Sequence, residues 1–175
     1  VIFVIAFVWG WSEATVFFIV PDVLLTLLAL RSLRVALAAC IWATLGAVVG
    51  GAMTYDYANL HPASSREILV MVPGISDRMI GEAGEQLEEH GDAALFYIGI
   101  PYKIYAVQAA WQRRPLVDFL LLSIPARAIR FVLISVLASI IAAPLRRRVR
   151  ERTLIHIHLL AWSAFYAAYF AAHAL

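Results

Sequence analysis

The sequence predicts an all-α, polytopic integral membrane protein. The expected architecture has two opposed re-entrant helical hairpins and roughly three full transmembrane helices, arranged as an inverted repeat. Composition is the first observation behind this. Of 175 residues, 63% are hydrophobic and 15% charged, and the mean hydropathy is +0.82. A soluble domain carries about 25% charged residues, and a chain this short must show much of its surface to water. The second observation is a set of long apolar runs. The third is a pair of shorter apolar runs, each interrupted by proline beside a charge.

Residues 35–53, VALAACIWATLGAVVGGAM, are uncharged and close to the ~20 residues that cross a bilayer. Residues 153–175 are also long enough. Residues 115–145 form a longer run containing Asp118, Pro125, Arg127 and Arg130. A bend is expected near Pro125, because proline removes a backbone donor and clashes with the preceding turn. The opening VIFVIAFVW has the apolar character of a signal-peptide core. No basic residues precede it and no small-residue cleavage site follows closely, so it reads as embedded mature chain.

The broken runs are residues 14–30, ATVFFIV–Pro21–Asp22–VLLTLLAL, and 93–110, AALFYIGI–Pro101–Tyr102–Lys103–IYAVQAA. Their arms are far shorter than a span, which favours hairpins that dip in and return. The alternative is a continuous kinked helix. At an offset of 80, Pro21 falls on Pro101, Ala14 on Ala94, Ala29 on Ala109 and Arg34 on Arg114. The shared order is apolar arm, proline with charge, apolar arm, basic residues and long span, which suggests internal symmetry. The chain divides as one membrane domain, 1–175. Residues 1–59 form the first repeat, 60–92 an extramembrane amphipathic segment, 93–145 the second repeat, and 146–175 an Arg-rich loop with a final span.

Arg146, Arg147, Arg148, Arg150 and Arg152 crowd one short loop. By the positive-inside rule this 146–152 loop is cytoplasmic, together with Arg31 and Arg34. Residues 60–92 and 111–114 then lie outside. Within 60–92, SDRMIGEAGEQLEEHG reads as a surface helix, with Ser76 or Asp77 at its start and Gly91 at its end. Its acidic residues Glu82, Glu85, Glu88 and Glu89 read as a solvated face. A net charge of +2 implies no nucleic-acid partner. The single Cys40 excludes an intrachain disulfide.

Charges inside apolar segments are the candidate site, because each costs about 2.5–3.5 kcal/mol at mid-membrane on insertion scales. Glu13, Asp22, Lys103, Arg127 and Arg130 form the expected substrate and proton pathway. Asp22 and Lys103 follow equivalent prolines and are expected to meet near the midplane; snorkelling of Lys103 to an interface is the alternative. Arg127 and Arg130 share a helix face and offer donor forks suited to phosphate. Otherwise they tie helices together through Asp118 or Glu13. Asp118 and Asp56 read as structural partners, Asp56 as an interfacial anchor. Gly46 and Gly50 form a GxxxG for close helix packing. His156 and His158 point to different helix faces, and HExxH, CxxC and GxSxG are absent from the sequence. Neither a metal, a cofactor nor a catalytic residue is expected, and the chain does not read as an enzyme.

The stretch GIPYKIYAVQAAWQRRPLVDFLLLSIPARAIRF, residues 99–131, resembles a region of the DedA family, also called the VTT or SNARE-associated Golgi protein family. It is most similar to the YqaA-like branch, in which a PxPxK tip precedes AAG and a GRxxRF helix. The matching residues are Pro101, Lys103, Ala109, Ala110, Arg127, Arg130 and Phe131. Trp111 and Ala126 stand where that pattern has glycine. Glu13, Pro21, Asp22, Gly46, Gly50 and Asp56 resemble the family's first hairpin and glycine-rich span. The resemblance covers most of residues 10–140. It implies two opposed re-entrant hairpins and lipid movement between leaflets of a bacterial cytoplasmic (inner) membrane. The implied cargo is a phospholipid or a polyprenyl phosphate such as undecaprenyl phosphate. Anionic lipids, protons and a second copy of the chain are the implied partners. Two other functions remain open on the residues themselves: transport of an ion or small solute by the acidic pair, and lipid-phosphate chemistry at Ser123 or a carboxylate. A scaffold whose charges only bind helices together is a third.

Overall fold

The computed structural model describes residues 1–97, 99–146 and 148–173. Eight α-helices are described: α1 (Ile2–Thr15), α2 (Asp22–Ala29), α3 (Leu33–Leu60), α4 (Pro62–Met71), α5 (Asp77–His90), α6 (Tyr102–Trp111), α7 (Leu116–Leu145) and α8 (Glu151–His173). A 3-10 segment covers Gly91–Phe96. No strand is present among the described residues. Helices α3, α7 and α8 are long and apolar enough to cross a membrane, and the whole fits a polytopic membrane protein. Large apolar side chains such as Ile41, Leu45, Leu133, Ile140 and Leu160 lie exposed on these helices. In water such a surface is a liability; against hydrocarbon it is the expected outer face.

Both broken runs are interrupted, but the arms differ from those expected. The stretch expected as the first arm, 14–20, contains the break itself: α1 ends at Thr15 and helix resumes only after Pro21. Val16, Phe17, Phe18, Ile19 and Val20 are all β-branched or aromatic, which weakens helix. The residue before a proline is also pushed out of the α region. In the second run the expected arm, 93–100, is only 3-10 to Phe96, and α6 begins after Pro101. A helix running through either proline is therefore excluded. Each proline caps the start of a short helix, which a brief link joins to a long one: 30–32 between α2 and α3, 112–115 between α6 and α7. In the second link Arg113 takes φ +54°. Its N–H bonds Ala110 O, and that of Arg114 bonds Ala109 O, so a Schellman turn closes α6.

Helices α3 and α7 run antiparallel. At one end Arg31 pairs with Glu151, Arg146 donates to the Ala29 carbonyl, and Leu30, Ala142 and Leu154 cluster. At the other end the Tyr55 hydroxyl donates to the Arg114 carbonyl, and Arg114 pairs with Asp92 at 3.4 Å. The segments 31–34 and 146–152 thus share an end, although Arg147 lies outside the described residues. Pro125 does not interrupt α7, which contains both Pro125 and Pro144.

The 60–92 segment holds two helices where the sequence suggests one. Pro62 starts α4. Ser76 caps α5, accepting from Met79 N–H at 3.3 Å, and Gly91 ends it at φ +60°. Ile80, Ala83, Gly84 and Leu87 of α5 are buried. Gln108 and Gln112 of α6 donate to the Ile80 and Gly84 carbonyls at 2.6 and 2.9 Å. The outward Glu85, Glu88 and Glu89 are exposed.

Helix α1 lies hard against α3. A Cβ at Gly46 would stand 2.0 Å from Phe7 O, one at Gly50 2.6 Å from Trp11 O, and one at Gly10 2.2 Å from Ala43 O. These are backbone atoms, so any side chain must push the helices apart. Gly46→Ala should destabilise the detergent-solubilised protein by about 1–3 kcal/mol. Gly81→Ala, in open space, should be neutral or stabilise by up to about 1 kcal/mol. Equal thermal shifts for the two would refute the packing argument. Single cysteines at Arg31 and Arg148, in a Cys40→Ala chain, should react with an impermeant reagent from one face of a vesicle. One at Arg113 should react only from the other. Reaction of all three from one face would refute the antiparallel arrangement across a membrane.

Candidate functional site

The five charged residues singled out above converge where the two helix breaks meet α7. Four of them, Glu13, Asp22, Lys103 and Arg130, line one cavity of about 490 Å³. Glu13 sits near the end of α1, Asp22 at the first position of α2, and Lys103 in the first turn of α6. Arg127 and Arg130 occupy successive turns of α7. Each proline break thus ends by delivering a charged side chain at the start of a short helix.

Arg127 pairs with Glu13. Both are almost fully buried, at 4% and 2% exposure. The guanidinium also lies 5.0 Å from the centre of the Tyr102 ring and 4.7 Å from that of Phe131. It is fixed by a carboxylate and two aromatic faces, an arrangement guanidinium suits and ammonium does not. Arg130 pairs with Asp22 at 2.9 Å. Asp22 is buried, whereas the Arg130 side chain is one-third exposed. Two polar atoms here, Asp22 Oδ1 and Arg127 Nε, are buried without a hydrogen-bond partner.

The expected Asp22–Lys103 pair is therefore not the one formed. Both residues line the cavity, but Asp22 takes Arg130, and Lys103 Nζ donates to the Phe17 carbonyl at 2.7 Å. The reason is local. The break at 16–20 leaves backbone carbonyls without helical partners, and Phe17 O presents one of them to the lysine. Lys103 is 1% exposed, so snorkelling to a solvated surface does not describe it. Asp118 is exposed in the first turn of α7 and Asp56 is exposed near the end of α3. Neither appears among the ion pairs of the described residues. Asp118 suits a helix N-terminus, where the macrodipole favours negative charge.

Helix α8 supplies a cavity wall that the sequence reading missed. His158, Trp162, Tyr166 and Tyr169 line the cavity. The Tyr166 hydroxyl accepts from Val20 N–H at 3.0 Å, Trp162 Nε1 donates to Thr26 Oγ1 at 3.3 Å, and the Tyr169 hydroxyl donates to Gly74 O at 2.8 Å. Phe18 packs against Tyr166, Tyr169 and Phe170. A signal was present: positions 158, 162, 166 and 169 follow the spacing of one helix face.

Ser123 is fully buried. It accepts from the Tyr102 hydroxyl at 2.9 Å and donates to Phe119 O at 2.8 Å. It is not among the residues lining the cavity. Among the described residues no cluster of His, Cys, Asp and Glu side chains could hold a metal. Comparison with protein-family models, curated proteins and solved structures returns no match for this chain.

Removing Arg127 leaves Glu13 charged and buried, the costly state. Arg127→Gln should lower stability by about 3–5 kcal/mol, while Glu13→Gln with Arg127→Met should cost less. A double-mutant cycle on thermal stability should find coupling between Asp22 and Arg130 and a smaller value between Asp22 and Lys103. The opposite ranking would overturn the pairing described.

Proposed function

We propose that this chain moves a phosphate-bearing lipid between membrane leaflets, as a flippase or scramblase. The observation that carries the reading is the cavity where both proline breaks meet, with buried charge on one side and an aromatic wall on the other. A lipid head group crossing a bilayer must exchange water for fixed polar groups, and irregular backbone in membranes belongs where it lines such a space.

The charge balance favours an anion. The five residues comprise three cations and two acids, and the acids are taken by Arg127 and Arg130. Lys103 is left with a neutral carbonyl. It stands in the first turn of α6, where unsatisfied N–H groups and the macrodipole add positive potential. At the corresponding start of α2 the charge is Asp22, which cancels that potential. The phosphate is placed at Lys103, with Arg130, the more exposed arginine, within the same lining.

On this reading the two breaks are the tips of opposed re-entrant hairpins. The units 1–59 and 93–145 are inverted repeats, and the resemblance to the DedA family reflects common ancestry. The location is a bacterial cytoplasmic membrane with the 146–152 loop inside, following its arginines. A homo-oligomer is the expected assembly. An ion carrier built on the acidic pair is less favoured, because arginines occupy both acids. Lipid-phosphate chemistry at Ser123 is less favoured, because its hydroxyl is already engaged away from the cavity.

The test is a vesicle assay with the purified chain and fluorescent lipids whose outer-leaflet copies are bleached. Wild type should bleach lipid from both leaflets, anionic phospholipid or polyprenyl phosphate faster than phosphatidylcholine. Lys103→Gln, eluting as a folded species, should slow the anionic lipid about tenfold, a loss of ~1.4 kcal/mol. If wild type moves no lipid, or Lys103→Gln matches it for every lipid, the reading is wrong.

A further inference from the structure

A second cavity, of about 340 Å³, lies against the first, lined by Tyr97, Tyr102, Tyr105, Arg127 and the outer side of α7. Asp22, Ile100, Arg130 and Ile134 line both cavities. Glu13 belongs only to the first lining and Arg127 only to the second. The wall between the two spaces therefore contains two ion pairs beside Ile100 and Ile134. One pair reaches from the first space to the second, and the other faces both.

We infer that the second cavity is a second head-group compartment, and that the Asp22–Arg130 pair is a removable door between the compartments. This rests on the lipid-transport reading and extends it to the path. Three features favour a door at this pair over a permanent strut. Glu13–Arg127 is buried at both ends and clamped between Tyr102 and Phe131, whereas the Arg130 side chain is one-third exposed. Only Asp22 Oδ2 is engaged by Arg130, and Oδ1 has no hydrogen-bond partner. A single contact from one carboxylate oxygen is more easily exchanged than a bidentate fork.

The second compartment also has its own polar equipment. Arg127 Nε is buried without a hydrogen-bond partner on a residue that lines this cavity, and Tyr97 stands in the same lining, while the Tyr102 and Tyr105 hydroxyls are engaged by Ser123 and Gln86. The ligand class is the same phosphate anion. A phosphate arriving at Lys103 is a competitor for Arg130. Once it takes that guanidinium, Asp22 is displaced, the wall opens, and the anion has Arg127 and the Tyr97 phenol ahead of it. Anion binding and opening are thereby one event: the charge that must cross is the charge that unlocks. A neutral or zwitterionic head group gains less from Arg130 and leaves the door shut more often.

The test reads the partition without requiring lipid movement. In a Cys40→Ala chain in vesicles, Ala161→Cys reports on the first cavity and Ala126→Cys on the second. An impermeant anionic thiol reagent applied to one face should react with one reporter much faster than with the other. Neutralising the door with Asp22→Asn and Arg130→Gln together should raise the slower rate about tenfold. Asp22→Asn alone, isosteric and less disruptive, should raise it in the same direction and serves if the double variant does not fold. The reversed pair, Asp22→Arg with Arg130→Asp, should return the slower rate toward the parent value. Rates within twofold of the parent in the neutralised chains, or equal rates for both reporters in the parent, would overturn the door. Lipid transfer on the same vesicles separates the two ideas. A labelling change with no lipid moved by any chain keeps the partition and removes the transport reading; lipid transfer with no labelling change does the reverse.

Discussion

Buried charge in a chain this apolar must be paired, and the architecture is arranged around that requirement. Two arginines one helical turn apart on α7 meet two carboxylates from α1 and α2. Without the arginines, the carboxylates would sit in a low-dielectric interior; without the carboxylates, the arginines would. Each side is strongly destabilising alone. The pairs therefore join the first unit, which contributes α1 and α2, to the second, which contributes α7. They also explain why α1 ends where it does. Glu13 must reach α7, and a helix continuing straight through 16–20 would carry Asp22 along a different line. The break lets one chain segment aim two carboxylates at neighbouring turns of a single partner.

That aim depends on helices that cannot shift. Hydrophobic burial gives little drive to associate apolar helices in lipid, so close packing and polar contacts must hold them. Gly10, Gly46 and Gly50 bring α1 and α3 to backbone contact. Ala6, Ala14, Ala39, Ala43 and Ala47 fill the surrounding core with small side chains. Ser135 lies against Cys40 at 3.4 Å between α3 and α7. Larger side chains in the interior include apolar ones such as Phe119, Phe131 and Leu25 and a polar set on α6. Tyr102, Tyr105 and Lys103 on α6 are buried and each donates a hydrogen bond. The α1–α3 contact is small-residue packing, and α6 carries buried polar side chains of greater length.

Much of this could be read from the residues, and the misses have physical causes. The three long apolar helices follow from length and hydropathy, and the α5 boundaries from Ser76 and Gly91. The interruptions at Pro21 and Pro101 follow from proline chemistry. Their extent does not, because a β-branched and aromatic run such as Val16–Phe17–Phe18–Ile19–Val20 is equally apolar as helix, strand or irregular chain. The five charges of the site could be listed, since each is conspicuous in an apolar context. Their pairing could not. Asp22 and Lys103 each follow closely on a proline that breaks an apolar run, but a shared neighbour suggests nearness, not contact. Which partner wins depends on a carbonyl freed at Phe17, which no side-chain pattern encodes. The wall from α8 was legible in principle from the spacing of His158, Trp162, Tyr166 and Tyr169.

The two units share an order of elements but not a distribution of charge, and the difference is the last step from fold to chemistry. At the start of α2 the side chain is acidic, so helix end and side chain cancel. At the start of α6 it is basic, so they add. If both starts were acidic, α7 would need further cations and the cavity would have no surplus to offer a ligand. If both were basic, the arginines would face uncompensated repulsion. One of each leaves both arginines paired with carboxylates and Lys103 hydrogen-bonded to a backbone carbonyl. A carbonyl is a weak enough partner for an anion to replace, and a strong enough one to keep the empty cavity from holding a bare charge. The difference between the two helix starts thus leaves Lys103 on a backbone carbonyl while Glu13, Asp22, Arg127 and Arg130 are held in ion pairs.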